Sequence, residues 1–263
     1  MDIYGVTDIG CVRKQNEDSI HWQALPHERG YVAVLADGMG GYGGGALASK
    51  LAVEYFTKCL LSALEFQQDQ SNDTMLKIMA EAGALANNAV RQERNAHPDF
   101  QKMGTTLIAM LVLDGNYWLM HVGDSRCYSS NQEGLQALTR DHSLVQELLD
   151  KGSLTEKEAA RAPFRNMLTR AVGPDRDVRF SFAKHHFQQG ESWLLCSDGL
   201  YNTLPMAVID QWMQAGLSAE ETATALVRES VRYNAQDNVS VIVLKQDATN
   251  RSKEYGHISS TGR

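Results

Sequence analysis

Cysteine is scarce in this sequence: four residues in 263, at positions 11, 59, 127 and 196, with no C-x-x-C pair. That spacing argues against a disulfide framework or a zinc ribbon and reads as reduced, buried thiols in a cytoplasmic protein. The eight histidines show no H-E-x-x-H, so zinc-protease chemistry is excluded as well. Long apolar runs are also missing. The longest, Leu107 to Leu113, suits a buried strand and falls far short of the ~20 residues that span a bilayer. There is no Lys/Arg block, and 25 basic against 32 acidic residues leave a net charge of −7. Such a chain is a poor ligand for nucleic acid or an anionic membrane. The opening Met1-Asp2-Ile3-Tyr4-Gly5 carries neither a basic nor an apolar targeting region, so no signal peptide is expected.

What is present is ordinary globular usage, 43% hydrophobic and 22% charged, which rules out collagen, coiled coil and wholesale disorder. The pattern predicts strands at 2–9 and 31–36, then two long helices at about 46–66 and 74–94. The first helix shows an apolar stripe at Ala48, Ala52, Phe56, Cys59 and Ala63; the second at Met75, Ile78, Met79, Ala82, Leu85, Ala86, Ala89 and Val90. From 106 to 138 four short strands joined by turns predict an antiparallel meander. A helix is expected over 142–162, strands at 180–183 and 193–196, helices at 205–214 and 219–233, and a last strand at 239–244. Long helices set apart from antiparallel strands indicate a layered α+β domain over residues 1–246, with a polar tail over 247–263.

One local pattern recurs. An apolar strand ends in a small residue, an aspartate and another small residue: Ala36-Asp37-Gly38, Gly123-Asp124-Ser125 and Ser197-Asp198-Gly199. Asp237 opens a strand instead, and Glu17-Asp18 follow Asn16 near the first strand. Any one of these alone reads as a turn or a helix cap. Together they place carboxylates at one rim of a sheet, where repulsion must be relieved by protons or by cations. All-oxygen donors select Mg²⁺ or Mn²⁺ over Zn²⁺.

Six segments then stand in a telling order: Arg13-Lys14-Gln15-Asn16-Glu17-Asp18, Asp37-Gly38-Met39-Gly40-Gly41, Met103-Gly104-Thr105-Thr106, Val122-Gly123-Asp124-Ser125-Arg126, Cys196-Ser197-Asp198-Gly199 and Asp237-Asn238. In this order the chain resembles the PP2C-type metal-dependent Ser/Thr phosphatases, the bacterial branch above all, over residues 5 to 244. The resemblance implies a four-layer αββα sandwich of two antiparallel sheets flanked by helices. It implies two Mn²⁺ or Mg²⁺ ions bridged by Asp37, with the Gly38 carbonyl helping the second and Asp198 and Asp237 holding the first. Glu17 and Asp18 look like partners of coordinated waters. Asp124 with Asp198 resembles a third metal site, and Arg13 resembles the arginine that clamps the phosphate. The implied reaction is in-line attack of an activated water on phosphoserine or phosphothreonine, without a covalent phosphoenzyme. The missing C-x5-R loop agrees with that.

Two positions depart from the family pattern. Many eukaryotic relatives carry a histidine after Asp-Gly as candidate general acid; here it is Met39, which cannot donate a proton. Before Pro163 some relatives place a polar third-site ligand, where this chain has Ala160-Arg161-Ala162. Residues 151–179 hold seven Lys/Arg against four Asp/Glu, unusual in an acidic chain. They suggest a flap that meets the phosphoprotein, with Arg161 and Arg165 as candidate contacts, or else a solvated helix face. The implied partner is a bacterial Ser/Thr kinase or its substrates, including kinases linked to type VI secretion, and a cytoplasmic monomer is expected. Two other readings stay open. One is a phosphatase fold that only binds. The other is a dinucleotide site at Gly38-Met39-Gly40-Gly41-Tyr42-Gly43, which fits G-x-G-x-x-G but sits beside Asp37 and lacks the following acidic strand.

Overall fold

A computed structural model describes residues 1–246, apart from 27–29, 42, 66, 187 and 189. The expected polar tail, 247–263, lies outside the described residues. Eleven strands are formed by the described residues: β1 (Asp2–Asp8), β2 (Asp18–Ala24), β3 (Gly30–Met39), β4 (Gly104–Thr105), β5 (Leu107–Leu113), β6 (Asn116–Val122), β7 (Arg126–Asn131), β8 (Gly134–Ala137), β9 (Ser181–His186), β10 (Ser192–Cys196) and β11 (Val239–Lys245). The helices are α1 (Gly44–Glu65), α2 (Asn72–Ala96), α3 (Leu144–Asp150), α4 (Glu156–Ala159), α5 (Asp198–Tyr201), α6 (Met206–Met213) and α7 (Ala219–Arg232).

The strands form two antiparallel sheets, ordered β1-β11-β10-β7-β8 and β2-β3-β5-β6-β9, with β4 beside β3. Alternation along the strands builds the layers. Val32, Val34 and Ala36 of β3 join Phe56 of α1 and Met79 of α2 in one core. Their neighbours Ala33 and Leu35 turn the other way, to Trp193, Leu195 and Ile242 between the sheets. A third core puts Leu194, Val241 and Val243 against Ile209 of α6 and Leu226 of α7. Three apolar layers between four structural ones are the αββα sandwich. Leu107–Leu113 is buried throughout because it packs on both faces, which is why its sequence shows no alternation.

The helix ends follow local chemistry. Ser71 caps α2 through the Thr74 N–H, and Ser218 with Glu221 forms a reciprocal capping box on α7. Several expectations change. A strand not expected from the pattern is present: Asp18 opens β2, whose Ile20 and Trp22 alternate toward the inter-sheet core. The four strands of 106–138 are not one meander, because β5–β6 and β7–β8 lie in different sheets and the chain crosses at Gly123-Asp124-Ser125. The single helix of 142–162 is two: α3 ends at Asp150, and a capping box of Thr155 and Glu158 starts α4. Leu60 joins the stripe of α1, where Cys59 packs against the same core only partly buried, and Leu85 of α2 is exposed. Cys127 and Cys196 are buried, but Cys59 is only partly so and Cys11 is exposed.

Candidate active site

Antiparallel pairing explains how distant aspartates reach one rim. Asp18 at the start of β2 pairs in register with Asp37 near the end of β3. Leu107 at the start of β5 pairs with Val122 at the end of β6, so Asp124 turns the corner at the same edge. Cys196 at the end of β10 pairs with Arg126 at the start of β7 and with Val241 of β11. Asp198, just beyond β10, and Asp237, just before β11, therefore face this edge from the second sheet.

The electrostatics confirm the gathering. Asp18, Asp37, Asp124 and Asp198 all have pKa values pushed above the ordinary carboxylate range. Burial is the first cause for each. Repulsion follows: Asp37 feels Asp18, Asp198, Asp124 and Asp237, and Asp198 feels Asp124, Asp237 and Asp18. The Asp37 carboxyl lies within hydrogen-bonding reach of those of Asp18 and Asp198. Glu17 is also raised, by burial first and then by Asp237 among others. Arg13 donates to the Asp237 carboxylate at 2.6 Å. Among the described residues no three or more Asp, Glu, His or Cys side chains form a ready-made coordination shell. What the rim has is concentrated, poorly compensated negative charge with oxygen donors throughout, which fits hard divalent cations.

Hydrogen bonds fix the backbone beneath these carboxylates. The Asp37 N–H donates to Thr106 Oγ1 at 2.8 Å, and its carbonyl accepts from the Thr106 N–H at 2.9 Å and Thr105 Oγ1 at 2.8 Å. Thr106 Oγ1 also lies 2.7 Å from Ser125 Oγ, joining Asp37 to the Asp124 corner. Gly123 turns that corner at φ 101°, and a Cβ there would stand 2.7 Å from the Thr106 Cβ, so glycine is required twice over. At Gly38 a Cβ would stand 2.1 Å from the Gly45 carbonyl oxygen, so α1 can start close against β3. Ser197 and Ser240 both donate to Asp18 Oδ2, at 2.8 and 2.6 Å. The Asn238 side chain accepts from the Glu17 N–H at 2.8 Å and donates to the carbonyls of Ile9 and Gln15. It thereby ties the whole 9–17 arch, which bears Arg13, to β11.

Thr106, Ser125, Ser197, Ser240 and Asn238 were not among the residues read from the sequence as site residues. All but Ser240 lie inside the quoted motifs. Their partners, however, are up to 222 positions away, which no local pattern reveals. Arg126 was missed likewise. It grips Asp141 with two bonds of 2.9 and 2.7 Å and lies 3.6 Å over the Tyr201 ring, while the Tyr201 hydroxyl donates to the Asp124 carbonyl at 3.0 Å.

Among the described residues Arg161 and Arg165 make no hydrogen bond or ion pair to the rim carboxylates. Both are exposed on the 151–179 segment, and neither enters an ion pair among the described residues. The return limb of that segment is anchored. Val172 and Thr105 exchange backbone bonds of 2.9 and 3.0 Å, and Asn87 of α2 binds Gly173, Asp175 and Arg176. The dinucleotide reading does not survive. The glycine-rich segment leads through α1 into α2 rather than to a parallel strand, and all strand pairings among the described residues are antiparallel.

The model of the protein phosphatase 2C family matches residues 12–245. The chain belongs to this family. It is accordingly a metal-dependent protein-serine/threonine phosphatase, a hydrolase that uses Mn²⁺ or Mg²⁺. It is 29% identical over 248 residues to the serine/threonine phosphatase stp of Listeria monocytogenes, covering 94% of this chain and 97% of that protein. The solved catalytic domain of the phosphatase PstP, in complex with two manganese ions, superposes with a TM-score of 0.78 at 30% identity, covering 92% and 96%. PppA, described as a key regulatory component of the type VI secretion system in Pseudomonas aeruginosa, superposes at 0.77 and 31% identity, covering 92% and 95%. No helix among the described residues is long and apolar enough to cross a membrane.

Proposed function

We propose that residues 1–246 form one phosphatase unit in which Asp37, the Gly38 carbonyl, Asp198 and Asp237 hold two divalent ions, and Asp124 with Asp198 a third. The observation that carries this is the gathering of four aspartates at separate strand ends, Asp18 buried and Asp37, Asp124 and Asp198 partly so, each held by desolvation and by its neighbours toward the protonated form. Cations in their midst remove that penalty. When bound, the ions supply a nucleophilic water and offset charge on the phosphoryl oxygens. Arg13 holds the phosphoryl group; its 2.6 Å contact to Asp237 shows that the guanidinium reaches the carboxylates. Glu17 and Asp18 order waters, Asp18 being oriented by the Ser197 and Ser240 hydroxyls. Met39 leaves the departing oxygen without a protein acid at that position, so its proton comes from a water or from another side chain.

The substrates are phosphoproteins, and the basic 151–179 segment meets them through Arg161 and Arg165. Similarity to PppA favours a role opposite a Ser/Thr kinase, or on that kinase's targets, of the kind linked to type VI secretion. A cytoplasmic, monomeric enzyme agrees with the acidic, cysteine-poor chain. The test is release of phosphate from a phosphoserine peptide with Mn²⁺ present, and its loss on adding chelator. Metal-independent release, or none, contradicts the reading.

A further inference from the structure

We infer that an apolar surface beside Arg13 receives the aliphatic or aromatic residue that flanks the phosphorylated serine or threonine of a substrate. This rests on Arg13 as the phosphoryl clamp. Nine large apolar side chains are exposed among the described residues. Five are dispersed over α1, α2, the 151–179 segment, β9 and α6 (Tyr55, Leu85, Met167, Phe182 and Met206). The other four, Ile9 (39% exposed), Val12 (57%), Val231 (38%) and Tyr233 (53%), fall on two segments that touch. Single exposed apolar residues need no explanation, whereas a cluster beside a site marks contact with a partner.

The touching is explicit. Cys11, between Ile9 and Val12, donates its N–H to the Ala235 carbonyl at 2.9 Å, and its thiol lies 3.5 Å from the Val231 carbonyl. Asn238 holds the Ile9 and Gln15 carbonyls from below. The arch is thus stapled to the last turn of α7, and the surface exists before any substrate arrives, which lowers the ordering cost of binding.

Position and size select the occupant. Val12 immediately precedes Arg13, and adjacent residues of an extended peptide are ~3.3–3.6 Å apart. A phosphoryl group held by Arg13 therefore carries its peptide neighbours onto this surface. A second copy of the chain is a poor match. Four half-exposed side chains of ~200 Å² offer roughly 400 Å², against about 800 Å² a side for a stable protein interface. Lys14 and the Arg232–Glu229 pair, whose nitrogen and oxygen lie 2.9 Å apart, border the surface with charge.

The experiment compares kcat/KM for matched phosphoserine peptides bearing Leu, Ala or Asp at single flanking positions, with p-nitrophenyl phosphate alongside, all with Mn²⁺. Leu is expected to exceed Asp about tenfold at one position, some 1.4 kcal/mol, chiefly through KM. In Val12→Ser/Tyr233→Ser that ratio should fall below about threefold, with an unchanged circular-dichroism spectrum; Val231→Ser supplies a second variant should the first misfold. Equal kcat/KM for all peptides while p-nitrophenyl phosphate is hydrolysed overturns the inference alone, as does a preference that persists in both variants. A concentration-dependent dimer abolished by these substitutions assigns the surface to a second copy and also overturns it. Failure to hydrolyse p-nitrophenyl phosphate brings down the phosphatase reading beneath it.

Discussion

The carboxylate rim and the 151–179 segment are opposites in charge, burial and internal bonding. At the rim, acids are buried or half-buried, and the backbone under them is held by hydrogen bonds from Thr105, Thr106 and Asn238, with Ser125 bonded to the Thr106 hydroxyl. Along 151–179 the basic side chains are exposed, regular structure is limited to one four-residue helix, and the firm anchors lie at the return limb. Negative charge that must be fixed in place is built on strand ends. The positive charge that we propose meets the phosphoprotein is built on a loop. The difference teaches where the fold concentrates its bonding: under the carboxylates, and less along the exposed basic segment.

The strongest way to break the contrast is to neutralise the rim. Asp37→Asn should lower kcat by at least about 10³-fold, the order expected when charge stabilisation at the reacting group is lost, while circular dichroism stays native. Retained turnover would show that Asp37 is not central. Arg13→Ala should come next, raising KM for phosphoserine peptides roughly 10- to 100-fold, as removal of a charge-assisted contact of about 1.5–3 kcal/mol implies. An unchanged KM would return Arg13 to the status of a surface residue.

Thr106→Val sharpens the claim that the rim depends on its hydrogen-bonded floor. It leaves the Asp37 N–H without its acceptor and should cost about 1–3 kcal/mol of unfolding free energy by urea titration. A loss within error of zero would show the floor to be dispensable. Arg161→Ala/Arg165→Ala belongs to the other side. KM for a phosphoprotein should rise a few-fold with kcat nearly constant, in keeping with exposed charges of about 0.2–1 kcal/mol each. No change there leaves the segment as a solvated surface.

Between the two regions His142 joins rim and segment. Its Nδ1 accepts the Gly123 N–H, its carbonyl accepts the Thr169 N–H, and its ring stacks on His121 at 4.6 Å. Burial, with His121 and Arg170 beside it, pushes its pKa down from the ordinary 6.5 to about 4. The unfolded chain thus binds the proton first, and stability present above pH 6.5 is lost as pH falls toward 4. The rim carboxyls, pushed upward, act in the opposite sense, so the measurement is a difference. In metal-free protein the change in Tm between pH 7 and pH 5 should be more destabilising on acidification in wild type than in His142→Gln, by a few degrees. Parallel curves would remove His142 from the account.

Most of the architecture was legible because its signals are local. The long helices, the buried run 107–113 and the small-Asp-small strand ends each declare themselves within a dozen residues. What was not legible depends on topology. The crossing at Gly123-Asp124-Ser125 looks like any turn until Arg126 is seen to pair with the other sheet. Strand β2 was hidden by its polar alternation, whereas the break before Thr155 is signalled by Gly152-Ser153 and by the Thr155-x-x-Glu158 cap, signals outweighed by the helix formers on either side. The site aspartates stood out by pattern, whereas the hydroxyls and Asn238 that hold them act through partners remote in sequence.

The most direct measurement is anomalous diffraction from crystals of this protein soaked in Mn²⁺. The account predicts two strong peaks at the rim, within coordinating distance of Asp37, Asp198 and Asp237. No manganese there, or ions bound only elsewhere on the surface, would contradict it.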